Sequence, residues 1–347
     1  MAAEKTPLLH ITREMPMENN ANLPLHPEDE HLILRHKEIL ATRVIIKLAY
    51  NDSEAGQLMA DFCAALEKLL PNVAVKTAPA DEDPPCIHVW DNLHFMMVPK
   101  GDYLEMFLLS LIGNDALASQ ELGMDAAQVR TRVSLPVLLK MYVMDNCPFC
   151  KITVPKGLFL AGASPLNIDI RIIDAAMFPD LAAQDNVRSV PATIMDDLFR
   201  WNGDFQITEV VDMIAARNPA ELGYNTLKKI ISDGDAEAVA DLMNDFNTVI
   251  PAFTDLLVAE KWPERLGAMV AFEYLSEKNP ALAETILDML WAGFDLLDAP
   301  IMGDVLHLVG VLNRESQAKQ VQKILAGEYP PSVKTVAREI FEAICRP

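Results

Sequence analysis

The sequence predicts an α/β unit laid down twice in tandem, followed by an all-α domain of stacked helix pairs. Three observations carry this. Residues 39–115 and 130–218 run through the same order of strands, helices and landmark residues, about a hundred positions apart. From about residue 224 the strand-like runs stop, and amphipathic helical patterns follow one another to residue 344. A Cys-Pro-Phe-Cys stretch, 147–150, stands in the second copy, where an apolar run of β-prone residues hands over to a helical pattern.

Residues 1–38 read as a leader rich in Asn, Glu and Pro, ending in a first helix over 31–40. In the first copy, 43–50 (RVIIKLAY) is a buried strand. A helix over 53–70 follows, capped by Ser53, with Leu58, Phe62, Leu66 and Leu69 at helical spacing. Pro71-Asn72 stops it. Strands at 73–77, 86–90 and 93–98 come next, the last two joined at Asp91-Asn92, and Gly101 leads into a helix over 102–112. The second copy repeats the plan. It has a strand at 137–144, a helix from 151 interrupted at Pro155, a strand at 167–173 and a short helix at 178–184. Val190-Pro191 introduces a hairpin of 192–195 and 198–201, and Gly203 leads to a closing helix over 207–217. Lys47 aligns with Lys140, Pro85 with Pro191 and Gly101 with Gly203; Glu54 and Gln57 stand where the second copy has Cys147 and Cys150.

Two cysteines separated by two residues at a strand-to-helix handover suit dithiol redox chemistry. Cys147 is expected at the helix N-terminus, where unpaired N–H groups and the positive end of the dipole stabilise a thiolate. Cys150 follows one turn later. The alternative is half of a zinc site, which needs four ligands. No second CxxC and no His pair at helical ligand spacing accompanies it, and His31 and His36 are five apart. Cys63 reads as a small core residue, and Cys345 has no evident role. Cys86 is either a buried strand thiol or an accessory thiol beside the thiol-free copy's vacant site. Trp90 and Trp201 read as core, as does His307 on its helix.

Hydrophobic content of 51% and charged content of 23% are those of a soluble globular protein. No apolar run reaches the roughly 20 residues that span a bilayer. Residues 1–22 lack a basic start followed by an apolar run, so export is not expected. A cytoplasmic, reducing setting follows, in which the five cysteines are not structural bridges. The net charge of −21 argues against a nucleic-acid partner.

Residues 135–217 resemble a thioredoxin or glutaredoxin fold: CPFC after the first strand, Lys151 behind it, Pro155 in the helix, Val190-Pro191 before the hairpin and Gly203 before the last helix. Together, about 39–217 is similar to the tandem thioredoxin folds of protein disulfide oxidoreductases. It is more closely similar to the N-terminal domain of the flavoprotein subunit of alkyl hydroperoxide reductase, in which only the second copy carries CxxC. The stretch 186–193 (NVRSVPAT) is the most specific part of the match. The resemblance implies that Cys147 is the attacking thiolate and Cys150 the resolving thiol. It also implies that Pro191 is a cis-proline, and that Pro148, Phe149, Val190 and Pro191 meet the substrate, Val190 through its backbone.

The family's buried acid beneath the second sulfur has no counterpart, since Asp145 lies too near the surface. Asn202-Gly203-Asp204 replaces the Gly-Gly turn of glutaredoxins, which favours protein dithiols over glutathione. No GxGxxG follows a strand, so no cofactor of its own is expected. By resemblance, the partners are a protein disulfide substrate such as a peroxiredoxin and a flavoprotein reductase as electron donor.

In the last third, helices are expected at 235–246, 248–260, 264–277, 280–290, 301–312, 317–325 and 332–344. Segments 264–275, 300–312 and 332–344 look alike, each with Pro at or shortly before its start. A spacing of roughly 30–37 residues resembles HEAT-like repeats, whose concave face suits a protein partner; a plain bundle is the alternative. The expected activity is thiol–disulfide exchange, in the direction of reduction. The competing reading is a scaffold or holdase whose dithiol only switches binding.

Overall fold

The computed structural model describes residues 25–40, 42–80, 83–113 and 123–345, so most of the expected leader lies outside the described residues. The first helix, α1 (Pro27–His36), starts earlier than its apolar pattern suggests. Pro27 supplies a preset first turn, and Glu28, Asp29 and Glu30 complement the positive end of the dipole.

The first copy comprises β1 (Val44–Tyr50), α2 (Glu54–Leu69), β2 (Val73–Pro79), β3 (Cys86–Trp90), β4 (Leu93–Met96) and α3 (Asp102–Ile112). The second follows a helix the sequence reading did not include, α4 (Ala126–Arg132), which is closed by a capping box between Asp125 and Gln128. Then come β5 (Val137–Val143), α5 (Cys150–Ala163), β6 (Ile168–Asp174), α6 (Pro179–Gln184), β7 (Ala192–Met195), β8 (Phe199–Asn202) and α7 (Ile207–Ala215).

Among the described residues, eight strands form one sheet in the order β2-β1-β3-β4-β6-β5-β7-β8. In each half a parallel pair is extended by an antiparallel hairpin, with β2 and β1 followed by β3 and β4, and β6 and β5 followed by β7 and β8. Each half is a thioredoxin-like fold. The halves share the sheet because β4 and β6 pair in parallel, from Leu93 against Ile170 to Met96 against Ile173.

Side-chain alternation makes the two sheet faces chemically different. One carries Leu48, Ile87, Phe95, Ile172 and Met141, linked by register and buried. Helices α2 and α3 cover it through Phe62 and Phe107: the Phe107 ring packs on both Phe95 and Phe62. Helix α5 lies so close that a Cβ at Gly157 would meet Met141 Sδ at 2.3 Å. The opposite face carries one row of register partners across all eight strands: Lys76, Lys47, His88, His94, Arg171, Lys140, Ile194 and Arg200. Lys140 on it pairs with Asp185 and Asp197 at 2.6 and 2.5 Å.

Some local expectations are corrected. Leu58 is 41% exposed; α2 buries Phe62 and Leu66 as expected, together with Met59 and Cys63. Helix α5 runs through Pro155 without a break. His307 is not packed: it faces solvent, with Nε2 3.8 Å from Glu273. Trp90 and Trp201 are core-facing, each donating its indole N–H to a partner, Ser110 O and Glu209.

The all-α part holds α8 (Tyr224–Ser232), α9 (Ala236–Asp245), α10 (Pro251–Leu257), α11 (Trp262–Lys278), α12 (Pro280–Gly293), α13 (Ala299–Leu312), α14 (Ala318–Ala326) and α15 (Pro331–Ile344). Helix α8 was not anticipated, and α10 is shorter than the 248–260 pattern because Pro251 sets its first turn. Helix α9 packs on α11, α11 on α13 and α13 on α15. This part has its own buried core, separate from that of the sheet.

Helix α8 joins the two, lying on the polar sheet face against β5. Gly223 is needed there because a Cβ would meet Asp196 O at 2.5 Å. The buried Asp196 carboxylate accepts bonds from Arg217 and Thr226, and Arg217 also donates to Leu135 O and Pro136 O. Lys228 bridges Asp83 and Glu264 at 3.1 and 2.9 Å. No helix of the described residues is long and apolar enough to cross a membrane.

Candidate redox site

The site forms at the end of β5. Asn146 takes a left-handed conformation (φ 59°), which Asn tolerates better than most residues, and turns the chain toward α5. Tyr103 holds this loop from the first copy by donating its hydroxyl to Met144 O at 2.9 Å. Helix α5 begins at Cys150, with no side-chain cap from Phe149. Cys147 therefore precedes the helix rather than opening it. Its sulfur takes the capping role, accepting the Cys150 N–H at 3.1 Å.

Cys147 and Cys150 are disulfide-bonded, with Cα atoms 5.4 Å apart, inside the range a disulfide spans. The two sulfurs are unequal in access. Cys150 is fully buried, while Cys147 is half-buried and flanked by exposed Pro148 and by Phe149, which is 60% exposed. The Val190–Pro191 bond is cis, as the resemblance implies. Val190 O stands 3.8 Å from Cys147 Sγ. Pro191 O accepts the N–H of Gly203 at 2.7 Å, which seats the strand beside the hairpin, and Gly203 itself has φ 94°. Lys156 on α5 reaches Asp204 at 2.7 Å and Phe205 O at 2.6 Å, tying the helix to the segment before α7. All six residues expected at the site are thus brought together.

A cavity of about 500 Å³ opens beside Cys147. Lys100, Gly101, Asp102 and Tyr103 from the thiol-free copy form one wall, and Asp145, Cys147, Pro148 and Lys151 line the other. Charges pair across it. Lys100 bonds Asp145 at 3.0 Å, and Lys151 lies 3.7 Å from Asp102. The opposing influences of Asp145 and Lys151 on a Cys147 thiolate are therefore both damped by partners from the first copy. Burial, aided by the Asp145 charge, pushes the Tyr103 hydroxyl well above its usual range, so it stays a donor.

The remaining thiols separate clearly. Cys63 is buried in α2, and its thiol is pushed up to about 12, chiefly by burial, as fits a core residue. Cys345 is exposed at the end of α15. Cys86 is buried, also pushed up to about 12 by burial, and stands beside two histidines, His88 and His94. That pair lies outside helical ligand spacing, because His88 and His94 face each other across the β3–β4 hairpin. The usable signal was strand alternation from Cys86 to His88 and a return across Asp91-Asn92 to His94.

No protein-family model matches the chain, and no curated protein does. Among solved structures, it is similar to the N-terminal domain of the alkylhydroperoxide reductase AhpF from Enterococcus faecalis. That match has 19% identity and a TM-score of 0.46 and covers 55% of this chain and 99% of that one. It is also similar to a protein disulfide oxidoreductase from Aeropyrum pernix K1, at 13% identity and a TM-score of 0.46, covering 56% of this chain and 94% of that one. These belong to the two groups the α/β half resembles in sequence.

Proposed function

We propose that the protein is a thiol–disulfide oxidoreductase that reduces protein disulfides through Cys147 and Cys150. The observation that carries this is the inequality within one bonded pair: Cys147 is half-buried and lines a cavity, whereas Cys150 is fully buried.

In the reduced protein, the Cys150 N–H and the start of α5 favour the Cys147 thiolate. That thiolate attacks one sulfur of a substrate disulfide. The substrate S–S bond breaks, a Cys147–substrate disulfide forms, and the other substrate sulfur leaves as a thiolate. Cys150, deprotonated, then attacks Cys147 Sγ, expels the second substrate sulfur and closes the 147–150 disulfide. Two electrons have passed to the substrate, and an external dithiol or flavoprotein donor must return them. Val190, with its carbonyl beside Cys147, offers backbone pairing to an extended substrate segment; Pro148, Phe149 and Pro191 form the apolar surround.

The division into a thiol-free copy (39–115), a thiol-bearing copy (130–218) and a helical unit (224–347) belongs to the same proposal. So do a cytoplasmic setting, a HEAT-like binding role for the stacked helices, and a peroxiredoxin-type client. The test is insulin reduction driven by dithiothreitol. Catalysed turnover that disappears in Cys147→Ser supports the reading, and trapping with Cys150→Ser then captures the client as a mixed disulfide. Wild-type protein no faster than dithiothreitol alone supports the scaffold reading instead. That reading draws on apolar side chains left exposed on the helical unit, such as Trp262 and Leu296.

A further inference from the structure

Cys86 and His88 are two residues apart on β3, so both side chains leave the polar face of the sheet. His94, on β4, is the cross-strand partner of His88. One ligand atom from each of the three residues falls within a cluster in which all lie within 4.8 Å of one another. The two Nδ1 atoms face each other at 2.7 Å, with the rings edge to face. Behind them, His94 Nε2 meets Asp169 Oδ2 at 2.9 Å. Asp169 is buried on β6, and its second oxygen, Oδ1, has no hydrogen-bond partner.

We propose that Cys86, His88 and His94 bind a zinc-class divalent ion through Sγ and the two Nδ1 atoms, with Asp169 orienting His94. Thiolate and imidazole are the donors that zinc prefers. Two nitrogens at ~2.0–2.1 Å from one tetrahedral ion lie roughly 3.3 Å apart, so the histidine pair needs to open by about 0.6 Å from its 2.7 Å contact. The Asp169–His94 contact is the carboxylate–histidine arrangement that fixes which ring nitrogen faces a metal.

Asp169 stands behind His94 with Arg171 at 3.8 Å and Lys229 at 3.6 Å beside it, so the ion's charge meets one thiolate directly and shares this carboxylate with two cations. Binding releases the Cys86 thiol proton to solvent and forms one sulfur–metal and two nitrogen–metal bonds. Three protein ligands leave a fourth position for water or an incoming group. The ion would sit at the seam, since Cys86, His88 and His94 belong to the thiol-free copy, Asp169 to the thiol-bearing one and Lys229 to the helical unit.

The test uses the full chain carrying Cys147→Ser and Cys150→Ser, so that the dithiol cannot compete for metal. Titration with Co²⁺ should give one equivalent per chain and a thiolate-to-cobalt charge-transfer absorption that Zn²⁺ abolishes by displacement. Cys86→Ser should remove that absorption, and Cys63→Ser should leave it intact. Asp169→Asn should keep the stoichiometry while weakening affinity by about 10–100-fold. Because Cys86 is buried, His88→Ala, at the half-buried side of the cluster, provides a second arm. Zn²⁺ should raise the melting temperature of the parent chain and not that of His88→Ala. A folded parent chain that takes up no cobalt, or an absorption that persists in Cys86→Ser, overturns the proposal.

Discussion

The two thioredoxin-like copies solve the same problem at the same turn with different atoms. In the first, Ser53 caps α2 and its hydroxyl accepts the Gly56 N–H at 3.1 Å. In the second, Cys147 Sγ accepts the Cys150 N–H, also at 3.1 Å. The hydrogen bonds pair Ser53 with Cys147 and Gly56 with Cys150, one residue away from the Glu54 and Gln57 that sequence landmarks suggest. The reason is loop length: β1 ends at Tyr50 and its cap is Ser53, whereas β5 ends at Val143 and the sulfur comes at Cys147, with Asn146 as the added left-handed residue. A helix start that needs an acceptor can use a hydroxyl for stability or a sulfur for chemistry. The hairpin turns differ in the same spirit. Asp91 in the first copy is exposed and pairs with Lys47 at 3.2 Å, while Asp196 in the second is buried against Arg217 and anchors α8.

The comparison can be broken in order of expected effect. Cys147→Ser should reduce catalysed insulin reduction to background, while Ser53→Ala, at the matching acceptor, should leave turnover unchanged. Arg217→Ala strands a buried carboxylate and should cost about 3–5 kcal/mol of stability in urea unfolding. Lys47→Ala, at the exposed counterpart, should cost about 0–1 kcal/mol in the same measurement. Ser53→Ala itself removes a cap and should cost about 0.5–2 kcal/mol.

The smallest effect is one of pH. Burial would raise the Asp83 carboxyl, but Lys228 and Lys261 outweigh it and hold the group below the usual carboxylate range. A depressed folded-state value means that its stabilisation is complete above about pH 4, the ordinary carboxylate range, and fades as pH falls through the depressed value. The melting-temperature gap between wild type and Asp83→Asn should be present at neutral pH and close in acid. A gap that widens in acid would reverse the sign argued here.

Much of this protein was legible residue by residue. Ser53 as a cap, the strand at 86–90, the turn at Asp91-Asn92 and the helix at 102–112 all stand where local pattern put them, because short-range hydrogen bonding and side-chain periodicity decide such features. Leu58 misled because several apolar residues on α2 satisfy a helical period, and only packing against Phe107 selects the Phe62 stripe. Helix α8 went unread because its polar residues are used as partners for Asp196, Asp197 and Asp169 rather than as a solvent face.

By itself, the order of residues determined that two like α/β units precede a run of helices, and that a dithiol follows the first strand of the second unit. Those are consequences of periodicity, capping and a four-residue spacing, all of which act over a few turns of chain. Only the tertiary structure decided which sulfur is reachable, that the thiol-free copy walls the cavity beside it, and that Asp169 stands behind His94. The last two depend on the two copies lying side by side, and the β4–β6 pairing that joins them is a long-range contact no local pattern encodes.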